Sequence, residues 1–385
     1  MFKLSKKLQS LPPYLFLEMD KAKRRARAEG RDIIDLGIGD PDQPTPRHII
    51  EALYQAALEP ANHRYALDQG MPVLRRSIAA WYKDRFNVDL NPDSQILPLI
   101  GSKEGLAHFP LAFLNPGDYS LIPDPCYPPY KGGTILAGGK PYLLPLLEKN
   151  AFLPDLKKIP ADVRKKAKLI FVNYPNNPTS AIAGKPFYNE LVEFARKNKI
   201  IIVSDLAYSE MSYDGYRPPS ILEIEGAREV AIEFHSLSKT YNMTGWRLGW
   251  ASGNEKLIAA LAKVKSNIDS GIFSAVQFAG IAALSGPQEH IKNMCSLYRE
   301  RRDCLMEGLD SLGWQAHNLK ATFYVWIKIP EGKDSLKFTE LLLDRANIVV
   351  TPGIGFGRYG EGYIRMALTV SKERIKEAFE RLKNI

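Results

Sequence analysis

Residues 235–250 read His235-Ser-Leu-Ser-Lys-Thr-Tyr-Asn-Met-Thr-Gly-Trp-Arg-Leu-Gly-Trp250 (HSLSKTYNMTGWRLGW). A single lysine, Lys239, stands among small hydroxyl residues, with Arg247 and several glycines close behind. Ser, Thr, Asn and Gly at this density oppose a long helix, and a surface lysine has no need of such neighbours. The stretch is either a polar loop between two strands or the wall of a pocket that holds a lysine for chemistry beside a bound anion. The apolar run REVAIEF (228–234) leads into it and RLGWAS (247–252) leads away, so both readings put the lysine at the end of a strand.

Working outward, further short apolar runs bounded by turn residues predict strands: QILPLI (95–100), YSLIP (119–123), KLIFVNY (168–174) and KIIIVSD (199–205). Helical patterns such as KEGLAHFPLAFL and PFYNELVEFARKNK lie between several of them. Strands alternating with helices predict an α/β fold with a mostly parallel sheet covered on both faces. After about residue 285 the pattern changes to a long charged helix (290–312), strands ATFYVWIKI, NIVVTPG and GYIRMAL, and a closing helix SKERIKEAFERL. The expected division is a large domain over 46–285, with 1–45 and 286–385 forming a smaller α+β domain that includes the N-terminal segment.

Composition narrows the function classes. With 385 residues, 45% of them hydrophobic, the chain can bury a large core. Lys plus Arg outnumber Asp plus Glu by 52 to 43, but the basic residues are scattered, as in KAKRRARAEGR and KKIPADVRKKAK. No basic stripe is interleaved with aromatics, so the +9 charge suits small anionic substrates and not a nucleic acid. Cys126, Cys295 and Cys304 have no zinc-type spacing, and an odd number of thiols makes a poor disulfide framework; a reducing cytoplasm and no metal are expected. MFKLSKKLQSLPPYLF reaches Pro12-Pro13 before any apolar run long enough for a signal peptide, and no stretch approaches a membrane span.

In sheets of this kind ligands collect beyond the carboxyl ends of the strands. After QILPLI comes Gly101-Ser-Lys-Glu-Gly105; after YSLIP, Asp124-Pro-Cys-Tyr127; after KLIFVNY, Pro175-Asn-Asn-Pro-Thr179. After KIIIVS comes Asp205-Leu-Ala-Tyr208, and after REVAIEF, Ser236-Leu-Ser-Lys239. The five ends deliver an anion cradle, an aromatic, an amide, a carboxylate with a phenol, and a lysine. Gly101-Ser102-Lys103 lies between a strand and a helix, where backbone N–H groups and the helix dipole favour an anion, with Ser102 expected as the cap. Asp205 closes an apolar strand and reads as the partner of a cation or as a helix cap. Lys239 offers an amine for a Schiff base once desolvation and nearby cations lower its proton affinity. Arg365 in GYIRMAL lies in an apolar strand, where a guanidinium needs a partner, either a ligand carboxylate or a structural ion pair.

From about Leu11 to the C-terminus the chain resembles the class I/II, fold-type-I aminotransferases that use pyridoxal 5'-phosphate. The motifs that carry the resemblance are Asn-Asn-Pro-Thr, Asp-x-x-Tyr and Ser-x-Ser-Lys-x-x-x-Met-x-Gly-x-Arg-x-Gly. The resemblance implies a seven-stranded sheet in the large domain and a homodimer with shared active sites. It implies Lys239 as the cofactor-holding lysine and proton-transfer base, and Asp205 as partner of the cofactor's ring nitrogen. Tyr208 and Asn177 are then partners of its phenolic oxygen, and Tyr127 its stacking aromatic. Ser102 and Lys103, with Ser236, Ser238 and Arg247, hold the phosphate, and Tyr65 reaches the phosphate of the neighbouring subunit. Gly39, Asn177 and Arg365 bind the substrate carboxylate.

Within that family LPPYLFLEMDK, DLGIGDPDQPTP, LIGSKEGLAHFPLAFLNPGD, PDPCYPPY and IEFHSLSKTYNMTGWR look most like the LL-diaminopimelate aminotransferases. These pass an amino group to 2-oxoglutarate. Asp68 corresponds to an acid that relatives present from the neighbouring subunit, and reads equally as a solvated loop acid. Ser180 stands where Asn-Asn-Pro-Thr usually continues with glycine, which bears on the loop's conformation. The alternatives are an alanine or aspartate type aminotransferase and a carbon–sulfur β-lyase of the same fold. Gly355-Phe-Gly-Arg-Tyr-Gly360 matches a dinucleotide fingerprint in letters only, because a strand-like GYIRMAL follows it where a helix is required.

Overall fold

The computed structural model describes residues 2–12, 15–316 and 319–383. Strand β1 (Ile34–Asp35) stands near the start of the chain. Seven strands follow: β2 (Ile96–Leu99), β3 (Tyr119–Asp124), β4 (Lys140–Pro145), β5 (Ala167–Asn173), β6 (Ile201–Asp205), β7 (Ala231–Ser236) and β8 (Gly249–Gly253). They form one sheet in the order β2-β8-β7-β6-β5-β3-β4. Only β8 runs against its two neighbours; the other pairings are parallel. The central strands are buried on both faces, which is why β5 reads as a nearly unbroken apolar run rather than an alternating one. Phe109, Phe171 and Phe234 fill one face; Ile170, Ile202 and Tyr241 belong to the core on the other.

A second group comprises β9 (Tyr324–Lys328), β10 (Ile348–Val349), β11 (Thr351–Pro352) and β12 (Tyr363–Ala367). β11, β12 and β9 make an antiparallel sheet, while β10 pairs in parallel with β1. That pairing ties the N-terminal segment to the C-terminal part of the chain. A separate core holds Leu305, Val325 and Ile364, packed under the helices Glu289–Ser311 and Lys372–Leu382. Among the described residues no helix is long and apolar enough to cross a membrane.

The α/β expectation holds, with local corrections. The sequence reading found six of the seven large-sheet strands and missed β4, an edge strand carrying Pro141 and Pro145 and lying only partly buried. Prolines suit an edge, where one side of the strand has no ladder to complete, yet they remove the apolar pattern that marks a strand. Arg228–Val230 belongs to the short helix Ala227–Val230, and the strand starts at Ala231 and runs on to Ser236. Arg247, expected to open a strand, instead follows the turn Thr244–Trp246 at φ 58°, and β8 begins at Gly249. NIVVTPG divides at Val350 into β10 and β11, which join different sheets.

Candidate active site

β8 is antiparallel to both β2 and β7, so β2 points the same way as β3, β5, β6 and β7, and their carboxyl ends meet at one edge. There a cavity of about 560 Å³ is lined by Ser102, Tyr127, Asn177, Asp205, Lys239 and Arg247, among others. All five strand ends therefore contribute to one space.

Lys239 sits in the helical turn Leu237–Thr240, entered from β7 through Ser236, whose hydroxyl accepts from the Ser238 N–H at 3.1 Å. Its Nζ donates to the Gly39 carbonyl at 2.6 Å and lies 5.4 Å from the Phe323 ring centre. Burial lowers its pKa to about 8; the Arg365 and Arg247 cations push the same way and Asp40 opposes them. Gly39 is held by its own strand-like neighbours: the Leu36 N–H donates to Val349 at 2.8 Å, and the Thr369 hydroxyl donates to the Ile38 carbonyl at 2.8 Å. A Cβ at position 39 would stand 2.0 Å from the Tyr324 hydroxyl, so only glycine fits.

Asp205 is the last residue of β6 and is 6% exposed. The Tyr130 hydroxyl donates to its Oδ2 at 2.6 Å. Its Oδ1 is buried without a hydrogen-bond partner among the described residues. Burial raises the carboxyl's pKa to about 6, against the pull of the Tyr130 hydrogen bond. The Tyr130 ring stacks on Phe171, centroids 5.0 Å apart, which fixes the hydroxyl's aim. Beside it, Asn173 donates to the Asp205 carbonyl at 2.8 Å and accepts from the Asn177 N–H at 2.8 Å.

The helix Ser102–Phe113 begins at Gly101, which has φ 77° and no side-chain cap. Ser102 is thus the first helical residue and not the cap. Glu104, in the first turn, braces the residue before the turn: its Oε2 accepts from the Ile100 N–H at 2.5 Å. Ser102 and Lys103 line the cavity at the positive end of this helix. The Arg247 guanidinium lies against Gly101 so closely that a Cβ there would be 2.3 Å from its Nη2, and its Nη1 donates to the Thr244 carbonyl at 2.8 Å. An anion cradle and a fork-shaped cation therefore stand together.

Arg365 on β12 is 3% exposed and lies behind Asn177, to whose Oδ1 it donates at 2.8 Å, with a second bond to the Gly37 carbonyl at 2.8 Å. Its guanidinium lies 4.1 Å from the Tyr324 ring centre. It reaches a smaller cavity of about 240 Å³ that shares Ile38 and Gly39 with the large one. Tyr208 donates to the Tyr324 hydroxyl at 3.1 Å.

Three expected site residues do not line this cavity within the chain: Arg365, which reaches the smaller one, and Tyr65 and Asp68. Tyr65 is 94% exposed, and Asp68 is exposed on the same loop. Tyr130, Tyr324, Asp40 and Asn173 were missed by the sequence reading, although all but Tyr130 line the cavity and Tyr130 holds Asp205. A tyrosine in ATFYVWIKI or beside Pro128-Pro129 carries no mark that separates it from a core aromatic. Ser180, at φ 61°, takes the left-handed conformation that glycine favours, and its hydroxyl bonds the Tyr324 carbonyl. Gly353–Phe356 and Arg358–Gly360 form two tight turns leading into β12, so no dinucleotide fold is present there. Cys126 is fully buried, which raises its thiol to about 12 and removes it as a nucleophile.

The chain is similar to known proteins over its whole length. The chain is 56% identical over 385 residues to the LL-diaminopimelate aminotransferase of Aquifex aeolicus, covering 100% of both. It is 55% identical over 378 residues to that of Halothermothrix orenii, covering 98% of this chain and 97% of the relative. The substrate-bound BacF structure from Bacillus subtilis superposes with a TM-score of 0.96 at 40% identity, covering 100% of this chain and 98% of the other. With residues 31–382 matching the model of aminotransferase class I and II, the chain belongs to that family.

Proposed function

We propose that this aminotransferase moves the amino group of LL-2,6-diaminopimelate to 2-oxoglutarate with pyridoxal 5'-phosphate, in two half-reactions of ping-pong type. The observation that carries the proposal is the convergence of Lys239, Asp205 and the Gly101–Arg247 cradle on one cavity. The names of the relatives support the choice of donor.

The residues fit that cofactor. Asp205 Oδ1, buried and without a partner among the described residues, suits a protonated ring nitrogen. Arg247 over Gly101, with the helix end at Ser102 and Lys103 and the hydroxyls of Ser236 and Ser238, suits the phosphate. Lys239 suits the aldehyde, Tyr127 the ring face, and Tyr208 with Asn177 the phenolic oxygen. When bound, the cofactor supplies an electron sink for the pair left behind as the substrate Cα loses its proton.

The protein's own part follows from its chemistry. Lys239 Nζ, with its proton affinity brought near neutrality, takes the proton from the donor's Cα in the first half-reaction and delivers one to the Cα derived from 2-oxoglutarate in the second. The Gly39 carbonyl holds Nζ while it is idle. Asp205, fixed by Tyr130, keeps a proton on the ring nitrogen. Arg365 and Gly39 orient the α-carboxylate, with Asn177 setting the fork's direction.

The proposal extends to assembly and place. Tyr65 and Asp68 act in the site of a second copy of this chain, Tyr65 at the phosphate and Asp68 toward the distal ammonium. The 94% exposure of Tyr65 and the 67% exposure of Leu67 support such an interface. Residues 46–285 form the large cofactor-binding domain, with 1–45 and 286–385 as the small one, and the enzyme works in the cytoplasm, where its three free thiols remain reduced. A donor panel of LL-diaminopimelate, alanine, aspartate and glutamate tests the reading: LL-diaminopimelate should convert the cofactor fastest, and a faster alanine or aspartate reaction overturns the choice of donor.

A further inference from the structure

Outside the site already described, the most heavily buried cation of the large-sheet region is Lys265, only 1% exposed. It closes the helix Glu255–Lys265. Its Nζ meets Glu104 Oε1 at 3.2 Å, the Ser270 carbonyl at 3.2 Å, and Asp269 Oδ1. Ligating atoms of Glu104, Asp269 and His108 all come within 4.8 Å of one another, and Lys265 is the cation among them. A lysine buried this deeply persists only where several acceptors replace water, and removing it leaves two acids facing each other in a poor solvent.

Each partner of Lys265 leads somewhere specific. Glu104 uses its other oxygen to accept from the Ile100 N–H, which fixes the turn at Gly101 where the anion cradle begins. Asp269 and Ser270 lead into Gly271, packed so tightly on the 65–68 loop that a Cβ would lie 2.5 Å from the Leu67 carbonyl and 2.6 Å from that of Ala66. That loop carries the exposed Tyr65. An unbroken chain of contacts thus runs from the cradle through Glu104 and Lys265 to the loop beside it.

We propose that Lys265 is a positioning residue that sets the phosphate cradle through Glu104 and locks it to the Tyr65 loop through Asp269 and Ser270. The inference rests on the cofactor reading given above. It touches neither substrate nor cofactor. Its role is to hold the Gly101 turn in the one geometry that presents the helix end to an anion.

The test compares apoenzymes of wild type, Lys265→Met and Glu104→Gln for binding of pyridoxal 5'-phosphate, pyridoxal without the phosphate, and inorganic phosphate, by fluorescence titration. Lys265→Met should weaken pyridoxal 5'-phosphate by about tenfold or more and inorganic phosphate in parallel, while pyridoxal changes less than about twofold. Glu104→Gln, which keeps the shape and an acceptor for Ile100, should fall between wild type and Lys265→Met in the same order, and decides the matter if Lys265→Met does not fold. A structural role alone would weaken all three ligands by the same factor. Unchanged phosphate discrimination in the variants overturns the inference alone. A wild type that shows no preference for the phosphorylated ligand overturns the cofactor reading and the inference with it.

Discussion

The Tyr130 hydroxyl donates to Asp205 Oδ2 at 2.6 Å, while Oδ1 is buried without a hydrogen-bond partner among the described residues. In the proposed reading one oxygen is committed to the protein and the other faces the cofactor's ring nitrogen. Removing the donor in Tyr130→Phe takes a stabilising hydrogen bond from a buried carboxylate, so the pKa of Asp205 should rise further. The acid limb of the rate against pH should move upward by about one unit, with the alkaline limb unmoved. A pH–rate profile of the two proteins checks this.

The raised pKa of Asp205 also predicts a pH dependence of stability in the apoenzyme. Its folded value, about 6, exceeds the ordinary 3.8, so the folded state binds more protons between those values and loses stability as pH rises through them. Asp205→Asn carries no such cost. The variant's stability should therefore gain on that of wild type between about pH 4 and 6 and then level off, at a difference on the order of 2–3 kcal/mol, with its melting temperature rising in step. Thermal melts of the two apoproteins across that range measure it.

Arg365 presents a planar fork aimed by Asn177 and Gly37. Arg365→Lys keeps the charge and loses the two-point grip. KM for both the amino donor and 2-oxoglutarate should rise by about 10- to 100-fold, with a smaller change in kcat. An equal loss in kcat alone would remove Arg365 from substrate binding.

The proposed exchange of Tyr65 between copies can be read by complementation. Lys239→Ala and Tyr65→Ala should each be nearly inactive alone. If Tyr65 acts in the partner's site, mixed dimers carry one doubly altered site and one intact site. Random mixing of equal amounts should then recover roughly a quarter of wild-type activity. No recovery after verified subunit exchange would place Tyr65 in the site of its own subunit and overturn the exchange.

Much of this was legible in the sequence, and the reasons differ from residue to residue. Lys239, Asp205, Asn177 and Tyr127 follow strands whose apolar runs are continuous because both sheet faces are covered, so the strand ends could be found and the loops after them read in order. β4 was lost because its prolines and partial exposure erase that pattern. Tyr130 and Tyr324 escaped for another reason: their hydroxyls meet the Asp205 carboxylate and the Tyr208 hydroxyl across 75 and 116 positions of chain, which no local spacing encodes. That Glu104 braces the Gly101 turn through the Ile100 N–H, while Ser102 is no cap, is likewise a matter of side-chain direction within one turn, below the resolution of residue type.

The most direct measurement of the central claim is a single half-reaction. Purified holoenzyme is mixed with LL-diaminopimelate in the absence of any keto acid, and the visible absorbance of the lysine-bound cofactor is followed, with Lys239→Ala as control. The account predicts a band that is absent in Lys239→Ala and that decays fastest with LL-diaminopimelate among the donors tested. A wild-type protein with no such band, or a band that LL-diaminopimelate leaves untouched while alanine or aspartate discharges it, would contradict the account.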